Sequence, residues 1–221
     1  MPATLTTIDS LMRGVVGPSV ASGDGSPVPV RLGRNGELII GNGHGKYYEQ
    51  VARGKCYHAS MQAGASMGTA LTATAVTLTL YNPVNSGMLL SLIHANVAIT
   101  TVPGGAGNAI YALAINANPL AAVPATNTAA VVRNCLLGAA AGVGIAYTAT
   151  TLPAAPVIAR VLPGGIYWAT AAAAAAPMVA EDWVDGSIVL APNTCVTIQG
   201  IGVATSGIAS LMWEEIPLLA A

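Results

Sequence analysis

Residues 72–100, TATAVTLTLYNPVNSGMLLSLIHANVAIT, set two apolar runs on either side of a Pro/Asn/Gly turn without one Asp, Glu, Lys or Arg. In the first run Val76, Leu78 and Leu80 alternate with Thr77, Thr79 and Tyr81. A period of two is the signature of a strand with one core face and one polar or partner-facing face. NPVNSG supplies the reversal. The second run then offers Leu89, Ile93, Val97 and Ile99 to the core, with Ser91 as the exception on that face and His94 on the other. Similar segments recur at 109–115, 143–149, 156–162, 187–190, 194–199 and 208–216, separated by turns rich in Pro, Gly and Asn. Many short strands with half-buried alternation favour two packed antiparallel sheets over a parallel sheet covered by helices. The expected fold is therefore all-β, an antiparallel β-sandwich of jelly-roll type. An immunoglobulin-like strand order stays open.

Three regions are expected along the chain. Residues 1–30 are rich in Gly, Pro and Ser, which raise the entropy cost of ordering or remove hydrogen-bond donors, and read as an extended N-terminal arm. Residues 31–70 read as an irregular, polar, glycine-rich assembly segment, with a hairpin turn at Asn35-Gly36 and one helical turn at 47–53. Residues 71–221 read as the β-sandwich domain. The alanine run at 171–176 is a short helix or an insertion, since it has helix propensity and no apolar stripe.

Charge is the scarcest commodity in this chain. Asp, Glu, Lys and Arg make up 8% of it, where about a quarter is usual for soluble domains. Few charges are left to cover a monomer, and interfaces in an oligomer or larger assembly remove surface from water. The net charge of −1 gives no overall field for nucleic acid or anionic lipid. Its distribution is uneven: Arg31, Arg34, Lys46, Arg53 and Lys55 cluster early, whereas every charged residue after Arg160 is acidic. No apolar stretch is long enough for a membrane span and no signal peptide is expected. Cys56, Cys135 and Cys195 are odd in number and far apart, so they read as small buried hydrophobes from a reducing compartment rather than a disulfide framework.

Motifs for chemistry are sparse. GNGHGK at 41–46 lacks phosphate-loop spacing, and GAAAGVG at 138–144 lacks dinucleotide spacing. His44, His58 and His94 make no close metal-binding pair, Cys56 and His58 have no evident third ligand, and EDWVDG at 181–186 does not match a calcium loop. No GxSxG elbow is present. Glu181 with Asp182, and Glu214 with Glu215, are neighbours that a strand points to opposite faces, so neither pair flanks one glycosidic bond. These acids are expected on rims and loops. The chain is expected to be no enzyme and to carry no cofactor and no metal. Tyr47, Tyr48, Tyr57, Trp168, Trp183 and Trp213 could form sugar-binding platforms or fill the core and interfaces.

The strings GELIIGNGHGKYYEQVARGKCYHAS (36–60), MGTALTATAVTLTLYNPVNSGMLLSL (67–92), DGSIVLAPNTCVTIQG (185–200) and LMWEEIP (211–217) resemble structural proteins of tailed bacteriophage virions. The likeness is greatest to head decoration, or cement, proteins. That resemblance implies a β-rich homotrimer on the outer surface of the capsid, made in the bacterial host cytoplasm, that bridges capsomers of the major capsid protein and touches neither nucleic acid nor membrane. It makes the arm and residues 31–60 assembly contacts, with Arg31, Arg34, Tyr47, Tyr48, Arg53 and Lys55 as candidates. A phage tail or baseplate component and a glycan-binding β-sandwich module are the alternatives.

Overall fold

The computed structural model describes residues 13–15, 27–29, 45–74, 77–101, 106–116, 120–168 and 179–218. The chain divides into two units after Lys46. In the first, Arg13–Val15 (β1) and Pro27–Pro29 (β2) pair antiparallel. Arg31, Arg34, His44, the Asn35-Gly36 turn and the alanine run at 171–176 lie outside the described residues.

The second unit opens with a short helix, Tyr48–Ala52 (α1), where one helical turn is expected. Its strands are Cys56–Ser60 (β3), Ala65–Ser66 (β4), Leu78–Asn82 (β5), Met88–Thr101 (β6), Gly107–Ile115 (β7), Ala125–Ala129 (β8) and Val132–Asn134 (β9). Ile145–Thr151 (β10), Val157–Trp168 (β11), Val179–Trp183 (β12), Val189–Leu190 (β13), Thr194–Gly202 (β14) and Ser206–Pro217 (β15) complete them. A six-stranded sheet runs β11-β7-β14-β5-β10-β8. A seven-stranded sheet runs β12-β6-β15-β3-β9, with β13 also on β6 and β4 on β15. Within the two sheets every pairing is antiparallel. The fold is thus all-β, with two antiparallel sheets. No described helix is long and apolar enough to cross a membrane.

Both sheets feed one core. Leu78, Leu80, Tyr111, Leu113, Val196 and Ile198 come from the six-stranded sheet, and Tyr57, Leu90, Leu92, Val97, Leu211 and Trp213 from the other. The NPVNSG reversal forms as expected, with Asn85 and Gly87 at positive φ. The buried Asn82 side chain ties it down by donating to the carbonyls of Met88 (2.8 Å) and Leu190 (2.9 Å).

Three local expectations are corrected. Cys56–Ser60 is a strand between β15 and β9 rather than irregular chain, because its Tyr57 and Ala59 alternate into the core. β5 is buried on both faces, not one. Residues 67–69 run beside the end of β14, with Met67 in the main core, and the chain then crosses the outer side of the six-stranded sheet, where the Gln199 amide accepts from Thr72 N (2.8 Å) and donates to Thr72 O (3.0 Å). Leu152 N adds a bond to Ala73 O (2.7 Å), and Tyr81, Leu120, Leu152 and Cys195 make a second small core beneath. In β6, finally, the inward set is Leu90, Leu92, Ala95 and Val97. Met212 pairs with His94 but Trp213 pairs with Leu92, so Ile93 is an extra residue and the inward parity changes there.

Candidate functional site

The bulge at Ile93 assembles the most varied surface chemistry of the described residues. Its carbonyl accepts from both Val184 N (2.8 Å) and Asp185 N (3.0 Å), while Leu92 O accepts from Gly186 N (2.8 Å). The turn after β12 is thereby hung on β6, with Asp185 at positive φ. From the other side, the Arg160 guanidinium on β11 reaches across to the largely buried Asp182 on β12, with Nε 2.5 Å from Oδ2 and Nη2 donating to Oδ1 at 3.0 Å. Its Nη1 donates to Ser187 Oγ at 3.0 Å, and that hydroxyl donates to Val184 O at 2.7 Å. A charge-assisted hydrogen bond to Asp182, with a second guanidinium bond to Ser187, fixes the orientation of this corner.

On the outward face of this rigid corner, Trp183 stands directly opposite His94 and is 54% exposed. The His94 ring lies 4.4 Å from it, tilted by 40°, and the Tyr47 ring stacks at 6.2 Å with a 7° interplanar angle. Glu181 Oε2 is 3.6 Å from His94 Nε2, and the Tyr47 hydroxyl donates to the Asp185 carboxylate. The result is an exposed indole edged by an imidazole, a phenol and two carboxylates. Such a surface can stack on an apolar ring face and accept hydrogen bonds around it. Glu181 points out and Asp182 in, as strand alternation requires, though both lie on a strand rather than on a loop.

The glycine-rich string at 138–144 does bind an anion, and it is the chain's own. The Glu215 carboxylate, 2% exposed, accepts from Val143 N (2.9 Å), Gly144 N (2.8 Å) and Trp213 Nε1 (3.3 Å). A Cβ on Gly142 would run into that carboxylate, so the close approach requires glycine. Glu215 was expected on a rim and is instead buried at the end of β15. This arrangement is a structural clamp with its donors already occupied. Elsewhere, a cleft of about 320 Å³ lies between the β3–β4 connection and β8, lined by Ser60, Met61, Gln62, Ala130, Val131 and Thr148.

Of the residues singled out in the sequence, Tyr47 joins the Trp183 cluster. Tyr48 is exposed on α1, Arg53 is exposed just after it, and Lys55 leads into β3, its carbonyl accepting from Glu215 N (2.9 Å). Tyr57 and Trp213 fill the core and stack on each other at 6.2 Å. His94, Glu181, Trp183 and Asp185 were not assembled by sequence reasoning, because β6 and β12 meet only through sheet pairing. The run EDWVDG, acidic and aromatic in a chain poor in both, was the available signal. Among the described residues no group of three or more His, Cys, Asp or Glu side chains is placed to hold a metal ion. A scan of protein-family models and a search of curated proteins each found no match to this chain.

Proposed function

We propose that this chain is a structural virion protein that binds the outer surface of an icosahedral phage capsid and braces neighbouring capsomers, and that its sheets form a jelly-roll sandwich. The pairings support the fold reading. β3 pairs with β15, β5 with β14, β6 with β12 and β7 with β11, a nested set split between the two sheets. Double Greek keys of this kind recur in viral capsid and lectin domains. Fold alone does not assign a role.

The observation that carries the assembly reading is exposed aliphatic surface on a chain with few charges. Val157, Ile158 and Val161 are exposed on β11, and Leu137, beyond β9, is 85% exposed. Apolar surface that has no chemistry to perform gains by leaving water in an interface. The major capsid protein and two further copies of the chain are the proposed partners. Multivalent attachment of a trimer would bind far better than one copy.

Light scattering coupled to size exclusion, followed by co-sedimentation with assembled shells of the parent phage, tests this. The expected result is a trimer near three times 22.0 kDa that travels with the shells. A monomer that stays in the supernatant overturns it. The exposed Trp183 with its stacked Tyr47 favours glycan binding as the second reading. Oligosaccharide-dependent change in tryptophan fluorescence, abolished by Trp183→Ala, would select that reading instead.

A further inference from the structure

Cys56 opens β3, and Cys135, far away in sequence, directly follows β9. The β3–β9 register ends at the Tyr57–Asn134 pair, and the next residues beyond that pair are Cys56 and Cys135. Cys135 N donates to Cys56 O at 2.9 Å. That bond continues the ladder by one position, and residues opposed at such a position project on one face with Cα atoms about 5.5 Å apart. That separation falls inside the range of about 4.4–6.8 Å spanned by disulfides. Both cysteines are free thiols. Cys56 is fully buried, Cys135 is half-buried, and Cys135 Sγ lies 3.7 Å from His58 Nδ1. Arg133 stands opposite His58, and Glu214 stands opposite Cys56 on its other side.

We propose that Cys56 and Cys135 are an oxidation site at which a low-molecular-weight disulfide, such as oxidised glutathione, installs a cross-strand disulfide. Cys135 is the entry thiol: it reaches solvent, and His58 is placed to take its proton. Its thiolate attacks one sulfur of the oxidant, forming a mixed disulfide and releasing one thiol. Cys56 then loses its proton and attacks the Cys135 sulfur, displacing the second thiol. Two electrons pass from the cysteines to the oxidant, and the two protons end on the released thiols. Burial pushes both cysteine thiols above their ordinary range, and at Cys56 the neighbouring Cys135 and Glu214 add to it. Thiolate is therefore scarce near neutrality and the reaction accelerates as pH rises. This site stands independently of the assembly role. Cys195, buried in the second small core with its thiol donating to Asn116 Oδ1 at 3.5 Å, provides an internal control.

The full-length chain is equilibrated with oxidised glutathione, quenched with an alkylating agent in denaturant, and mapped by mass spectrometry. The reduced protein should take up label at Cys56, Cys135 and Cys195, and the oxidised protein at Cys195 alone, with one peptide pair joined through Cys56 and Cys135. Cys56→Ser should stop at a glutathione adduct on Cys135, and His58→Ala should slow adduct formation about tenfold while leaving the Cys195 labelling rate in denaturant unchanged. The proposal is overturned if all three thiols survive, if the parent chain stops at the adduct, or if the bond joins Cys195 or two chains.

Discussion

Glu215 shows how one side chain can hold a loop onto a strand. Its carboxylate is out of water at the end of β15, and its partners are two backbone N–H groups of the 142–144 loop and the indole of Trp213. A buried charge is tolerated only when its lone pairs are satisfied, and the donors are equally dependent on it. Glu215→Ala leaves those donors facing a void and should destabilise by roughly 3 kcal/mol or more. Glu215→Gln keeps one acceptor but turns an N–H₂ toward a donor, and should cost about 1–2 kcal/mol. Urea unfolding with unchanged m-value reads both effects. An alanine variant as stable as the parent would sink the clamp. The requirement for glycine at 142 follows from the same contact. It was invisible in GAAAGVG, where nothing in the string names a partner more than seventy residues away.

At the level of elements, the layer over the six-stranded sheet depends on a side chain acting as backbone. The Gln199 amide bonds both the N–H and the C=O of Thr72, as a neighbouring strand would. Gln199→Ala should cost about 1–3 kcal/mol and, more tellingly, speed hydrogen exchange at Thr72 and Leu152 while the β6–β15 ladder stays protected. Equal acceleration everywhere would mean that the layer is no separate unit.

Strands rich in Val, Ile and Leu were legible because alternation follows from strand geometry: β7, β10, β11, β14 and β15 lie where the pattern predicts them. β8, with the sequence ATNTA, has no buried face to leave a pattern, and β12, VAEDW, hides its inward alternation behind Asp182. The inward face of β6 was misread near its middle because a bulge reverses parity without marking the sequence. The Trp183 cluster was not legible because it depends on the pairing of β12 with β6, two strands far apart in sequence.

For the whole molecule, burial of ionisable groups sets a pH limit on stability. Cys56 is pushed from 9.0 to about 12 and Cys195 from 9.0 to about 11, both chiefly by burial, and Tyr111 is raised by the same cause. The folded state holds these protons more tightly than the unfolded chain. The contribution is therefore complete below the ordinary thiol value and is lost as pH rises from 9.0 toward about 12. Under reducing conditions, urea midpoints should fall steadily through that window, and less steeply in Cys195→Ala. A flat profile would contradict the burial of these groups.

The order in which the strands enter the sheets has a consequence for biosynthesis. β14 lies between β7 and β5, and β15 between β6 and β3, so these two strands, synthesised after every other described strand, are interior to their layers. A nascent chain that has reached Leu190 owns most of its hydrophobic residues but has nowhere to complete either ladder. Until residues 194–217 clear the ribosome, the earlier strands expose the edges that β14 and β15 will fill, and non-local pairing of this kind is slow. Folding of this unit is thus deferred until β14 and β15 are both available, which makes residues 194–217 the stretch whose synthesis releases a competent domain.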